Sequence, residues 1–174
     1  MVADILALDG AGDRLMPLAR GTCSVADARD RIGQAGAKAL FPHARAPEAA
    51  LAGLYLYFSC LDEAHEIAQS VETADGSYWH AIMHRQEPDA ANAAYWFRRV
   101  GRHAIFPELH AEAARILAAY PEAGAPLPDP WDPFWFVEFC DKGLRQAAWD
   151  LHQAAREIQR AEWQLLFHHC AEPS

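Results

Sequence analysis

The sequence predicts an all-α fold, a compact bundle of five or six helices forming a single domain over residues 1–174, and three observations carry that expectation. Alanine fills 36 of the 174 positions, whereas Val, Ile and Thr together fill 14. Alanine loses no side-chain entropy in a helix, and β-branched residues are what pleated surfaces favour. Apolar residues recur at spacings of three, four and seven over several stretches, which is the period of a helix with one buried side. Prolines stand at the borders of those stretches, where they open or end helices. A chain of this length buries about 70% of its unfolded surface, enough for a core without disulfides or structural metal. No unit of 30 to 45 residues recurs, which argues against a solenoid.

Residues 1–45 read as an irregular part packed on the bundle. Gly10, Gly12, Pro17 and Gly21 break its beginning, and Ser24 is placed to cap a helix running to about Arg31 before Gly33 and Gly36 interrupt it. Pro47 then opens a helix to about residue 71, with Leu51, Leu54, Phe58, Leu61 and Ala68 on one side. Asp75-Gly76-Ser77 reads as a turn with a cap, followed by a shorter helix from Tyr78 to about Gln86 that Pro88 must end. Pro88-Asp89 opens the next helix, whose apolar side is Ala90, Ala93, Ala94, Phe97 and Val100, and Gly101 closes it. Pro107 starts another helix carrying Leu109, Ala113, Ile116 and Tyr120. Five prolines between residues 121 and 133 make that stretch a loop. From Asp132-Pro133 to about His169 the pattern is helical, with a bend at Gly143.

The formal charge is −9, from 15 basic and 24 acidic residues. Phosphate neutralisation needs a basic face, so this composition argues against nucleic acid as the main partner. Cys23, Cys60, Cys140 and Cys170 are widely spaced with no C-x-x-C pair, and read as buried thiols in a reducing cytoplasm rather than as a disulfide frame. The acidic start lacks the character of a signal peptide, and the longest apolar run is too short to cross a bilayer. The expectation is a cytoplasmic protein with no membrane and no nucleic-acid partner; oligomeric state is not readable.

Residues 77–103 depart from the acidic average. Four arginines against Glu87 and Asp89 give this segment +2, leaving −11 for the rest. Two Tyr-Trp pairs, Tyr78-Trp79 and Tyr95-Trp96, mark its two helices. A cationic, aromatic island in an acidic chain points to an anionic small molecule or an acidic protein surface; arginines paired with neighbouring carboxylates would produce the same composition. The ligand-binding candidates are Tyr78, Asn92, Tyr95, Trp96, Arg98, Arg99 and His103. Asn92, Tyr95 and Arg99 share one side of their helix and offer an amide, a phenol and a guanidinium.

His80 and His84, at i and i+4, fall on one helix face and can converge on a metal. Ala81 stands where an H-E-x-x-H protease carries its catalytic glutamate, so that class is excluded. Glu87, His65 and Glu162 are further candidate ligands, the last two because each interrupts an apolar stripe and a polar group facing a core needs a partner. A divalent metal such as zinc is the cofactor this set would hold. The blander possibility is that each is satisfied by a backbone group or one opposite charge.

The blocks YWHAIMHR and NAAYWFRRVG, with His103 beyond them, resemble a family of bacterial and fungal proteins of unknown activity in which a YWHAIMHR-type stretch precedes NAxYWxRRxG. The resemblance covers about 27 residues and departs at His103-Ala104, where members of the family often carry His-Pro. Residues 94–99 also faintly resemble the core of a Sel1-type helical repeat, in a single copy. Neither resemblance implies a reaction. The functional expectation is a small-anion or metal-binding site on the 77–103 hairpin, as in a metal-assisted hydrolase. The alternative is a non-catalytic helical interaction module, because Trp, Tyr and Arg dominate protein-binding hot spots.

Overall fold

The computed structural model describes residues 1–124 and 126–173, and the described residues hold helices and two short 3₁₀ turns with no strand. The nine α-helices are α1 (Val2–Leu6), α2 (Ala26–Leu40), α3 (Pro47–Tyr57), α4 (Leu61–Ala68), α5 (Ala74–Gln86), α6 (Ala90–Val100), α7 (Phe106–Ala119), α8 (Pro133–Arg145) and α9 (Trp149–Ala171). Eight exceed six residues, so the expectation of five or six helices is corrected. The excess arises mostly where one helical pattern in the sequence becomes two helices in the structure. The 47–71 pattern breaks at Ser59, which adopts a left-handed backbone (φ 59°), and resumes at Leu61. The last pattern breaks at residues 146–148, where Gln146 and Ala148 are extended, rather than bending at Gly143. Apolar periodicity survives both breaks because both halves face the same core.

Residues 1–45 are more regular than expected. The second helix continues past Gly33 to Leu40, with its kink at Gly36 (φ 68°). Tyr57 ties the N-terminal segment down: its hydroxyl donates to the Asp9 carbonyl and accepts the N–H groups of Gly12 and Arg14.

The cysteine expectation is also corrected. Cys23 and Cys60 form a disulfide joining the N-terminal segment to the start of α4, while Cys140 and Cys170 are free and buried. Disulfides are rare in a reducing cytoplasm, so the cytoplasmic expectation loses the free-thiol argument on which it leaned. Among the described residues, no helix is long and apolar enough to cross a membrane.

Two apolar clusters form one continuous core, since Phe106 and Leu165 pack against both. Helix α5 is central: ten of its thirteen residues are buried, so its polar side chains have no solvent face on which to sit. Thr73 caps it by accepting the Gly76 N–H at 3.1 Å, which places residues 75–77 inside the helix rather than in a turn before it. Gly53 allows α3 to approach α5 closely, because a Cβ there would stand 2.5 Å from the Trp79 ring. The Gly53 carbonyl also accepts the Trp163 indole N–H at 2.8 Å, bringing α9 to the same point. Asp89 and Asp132 cap α6 and α8, and Gly101 (φ 64°) ends α6, as the sequence predicts.

Candidate functional site

Burial of α5 decides where its polar residues go, because a polar group out of water must find a partner nearby. Three clusters result, two rich in histidine and one built on an ion pair.

The first histidine cluster joins α4 to the C-terminal half of α5. His65 from α4 meets His80 with Nε2 to Nε2 at 2.9 Å, and the His84 ring lies parallel to His80 at a centroid separation of 4.9 Å. One nitrogen from each of the three lies within 4.8 Å of the others. Trp96 of α6 stacks on the outer face of His80 at 3.9 Å, and the Arg99 guanidinium lies over Trp96 at 5.2 Å. His80 is 3% exposed, and burial first, with His65 and His84 beside it, lowers its pKa to about 4. A neutral imidazole is the form that ligates metal, so this ring offers a lone pair at neutral pH. Only one hydrogen can sit between the two Nε2 atoms, and the buried Nδ1 of His80 has no partner among the described residues.

Glu87 belongs to this neighbourhood. Its Oε2 lies 3.1 Å from His84 Nδ1, and its Oε1 accepts from Arg20 at 2.7 Å. Arg20 also reaches Asp62 of α4, three residues before His65. The Glu87–His84 separation is that of a close charge contact without hydrogen-bond geometry, since His84 Nδ1 makes no hydrogen bond among the described residues.

The second histidine cluster lies at the N-terminal end of α5. Asp75 Oδ1 accepts from His103 Nε2 at 2.9 Å and lies 3.4 Å from His169 Nε2, so three elements meet at one oxygen. The Ile105 N–H donates to His103 Nδ1 at 3.4 Å, and that assigns the His103 hydrogen to Nε2. The hydrogen bond from His103 is the main reason the Asp75 carboxyl titrates below its ordinary range, against the opposing effect of burial. This triad also has the proximity of a metal site. Its ring nitrogens on His103, however, are both engaged.

The third cluster is the Arg85–Glu162 pair, 1% and 0% exposed. Arg85 donates to both Glu162 oxygens, and Tyr78 donates to Oε1 at 3.1 Å. Gln159 accepts from Arg85 at 3.3 Å, and the guanidinium lies 4.4 Å above the Phe136 ring. Burial works against the Arg85 charge, but the Glu162 carboxylate outweighs it and raises the pKa. Burial likewise pushes the Tyr78 hydroxyl far above its usual range. Glu162 and Tyr78 are therefore held together in the core, away from the imidazoles of the first cluster.

The remaining ligand candidates divide. Asn92 spends its amide on Asp89 at 2.7 Å. Tyr95 is 49% exposed and edges onto Trp96. Arg98 and His103 line a groove between α6, α7 and the segment 128–134. The arginines of the hairpin do not behave alike: Arg85 is paired, whereas Arg98, Arg99 and Arg102 make no ion pair among the described residues.

Asp75, His169 and Arg20 are missed by sequence reasoning. A signal for His169 does exist: the buried stripe Ile158, Glu162, Leu166 continues to it, so its position on α9 is not that of a frayed end. No local signal marks Asp75 or Arg20, whose partners are 28 and 67 residues away.

Comparison of the chain with protein-family models, with curated proteins and with solved structures finds no match in any of the three.

Proposed function

We propose that His65, His80 and His84 bind a divalent transition metal, zinc by the chemistry of the ligands, and that the bound metal serves a hydrolytic reaction on an anionic small molecule. The observation that carries this reading is the convergence of three imidazole nitrogens within 4.8 Å, one of them on a ring held neutral. Nitrogens at about 2.0–2.1 Å from zinc in a tetrahedron stand about 3.3 Å apart, so the His65–His80 pair needs only a small opening to accept the ion. Three protein ligands with a fourth position open is the pattern of catalytic zinc, whereas structural sites close all four. Such an ion supplies a water acidified to near-neutral pKa. Glu87, held by Arg20, places a carboxylate 3.1 Å from His84 Nδ1, and Arg99 on Trp96 supplies positive charge beside the cluster for an anionic substrate.

The test is zinc titration by calorimetry and elemental analysis of the purified chain, repeated on His65→Ala and His84→Ala. One zinc per chain is expected, with at least about tenfold weaker binding in each variant. Stoichiometric binding unaffected by either substitution, or no binding by a folded wild-type chain, overturns the reading.

A second reading, an interaction module, draws on the half-exposed Tyr95 next to Trp96 and on Arg99, which makes no ion pair among the described residues. It requires Tyr95→Ala to abolish capture of a partner while zinc binding persists.

A further inference from the structure

The groove to which Arg98 and His103 contribute lies outside the metal cluster, and none of its lining residues belongs to that cluster. It has a volume of about 1100 Å³. Phe106, Trp131, Phe134 and Pro130 supply rings and a rigid pyrrolidine to its lining. Phe134 leaves 38% of its surface open there. Trp131 is 5% exposed, yet its buried indole N–H has no partner among the described residues, an uncommon state for a buried donor.

The charges on the groove are unequal in their commitments. Arg98 and Arg102 make no ion pair among the described residues, although the chain as a whole carries −9. Of the two aspartates in the lining, Asp132 is engaged as the cap of α8, accepting the Phe134 N–H at 2.8 Å. With Asp129, the lining carries two carboxylates beside the two guanidiniums. His103 presents its ring to the groove with both nitrogens already hydrogen-bonded, so it offers a surface and not a base.

We propose that this groove binds an anionic ligand with a large planar aromatic body, its carboxylate held by Arg98 and Arg102 and its rings laid against Phe106, Trp131 and Phe134. The guanidinium fork matches a carboxylate through two parallel hydrogen bonds, which an ammonium or a hydroxyl cannot reproduce. Aromatic faces at offset stacking distance select a flat body over a flexible chain. The site is independent of the proposed metal, and its test is carried out in the presence of a chelator.

The probe is 1-pyrenecarboxylate, followed by fluorescence anisotropy, with 1-pyrenemethanol as the neutral analogue and decanoate as a non-aromatic carboxylate. Saturable binding is expected, with the carboxylate at least about tenfold tighter than the alcohol, equivalent to about 1.4 kcal/mol. Decanoate is expected to compete at least about tenfold more weakly than the pyrene carboxylate. The double substitution Arg98→Gln with Arg102→Gln, at two exposed positions, is expected to bring the carboxylate down to the affinity of the alcohol and leave the alcohol unchanged. Phe134→Ala is expected to weaken both pyrenes alike. Equal affinity for carboxylate and alcohol, or indifference of the carboxylate to loss of both arginines, overturns the anionic assignment. Decanoate binding as tightly as the pyrene carboxylate overturns the aromatic one. No binding by the folded wild-type chain overturns both.

Discussion

The two histidine clusters at either end of α5 are alike in composition and unlike in what their nitrogens lack. At the N-terminal end, the oxygen of Asp75 faces the Nε2 atoms of His103 and His169, and the other nitrogen of His103 is taken by a backbone N–H. At the C-terminal end, three rings face one another with one hydrogen between His65 and His80, and a buried nitrogen of His80 is left without a partner. A carboxylate completes the first group from within. In the second, the Nδ1 atoms of both His80 and His84 make no hydrogen bond among the described residues. Proximity of ligating side chains therefore does not by itself separate a clasp from a metal site, and the two clusters differ in how their donors and acceptors are used. Arg85 and Glu162, on α5 and α9, supply a benchmark of two buried opposite charges that face each other directly, with Arg85 Nε making no hydrogen bond among the described residues.

The largest effect tests that benchmark. Glu162→Ala strands the Arg85 guanidinium in the core and removes the acceptor of Tyr78, a loss of about 3–5 kcal/mol for a buried pair broken on one side. A fall in melting temperature of about 10 °C or more is expected by calorimetry. Arg85→Met with Glu162→Leu should recover much of it, because replacing both buried charges by apolar groups removes the stranded one.

Next in size is the response of the two histidine clusters to zinc. At a free concentration one hundred times the dissociation constant, ligand binding adds about 2.7 kcal/mol to the folded state. The wild-type melting temperature is then expected to rise by about 5–10 °C. His65→Ala should abolish the rise and Asp75→Asn should preserve it. The reverse pattern would exchange the roles of the two ends of α5.

How much of this was legible in the sequence depends on whether a residue's partner lies on its own helix. The caps Asp89 and Asp132 and the stop at Gly101 are local, and the sequence places them correctly. His80 with His84 is legible for the same reason, one turn apart on one helix. His65 and Glu162 stand out because each interrupts an apolar stripe, and both meet buried polar groups, but periodicity says only that a partner exists. It leaves Glu162 open between the imidazoles and one opposite charge, the latter being Arg85 in the structure, and it has no means to see Asp75 meet His103. The breaks at Ser59 and at residues 146–148 were hidden because apolar spacing continues across them. The disulfide was hidden for a physical reason too: Cys23 and Cys60 are 37 residues apart, and only the packing of the N-terminal segment on α4 brings them together.

A smaller effect is expected where the clasp is weakened without removing its shape. Asp75→Asn keeps an acceptor for one histidine and loses the charge, so about 1.5–3 kcal/mol is at stake, the range for hydrogen bonds to charged groups. A drop of about 3–10 °C in thermal unfolding at pH 7 is expected. No change at all would mean that His103 and His169 find equivalent partners in water, and the contrast between a satisfied and an unsatisfied cluster would lose one of its sides.

The smallest effect, taken per pH unit in metal-free protein, separates the clusters by where acid acts on them. His80 is neutral in the folded state down to about 4, against 6.5 for the ordinary side chain. Between those values the unfolded chain binds a proton that the folded chain does not, so stability falls as pH drops through that window, by at most about 1.4 kcal/mol per unit. Asp75 has the same sign in a lower window. Its carboxyl titrates below the usual 3.8, so its contribution is full above that value and is lost as pH falls through the depressed one. Urea unfolding with a chelator present is expected to show the wild type losing stability relative to His80→Gln between pH 6.5 and 4. The wild type should lose its advantage over Asp75→Asn only below about pH 4. If both differences collapse over one shared interval, the two ends of α5 titrate as one system and their independence fails.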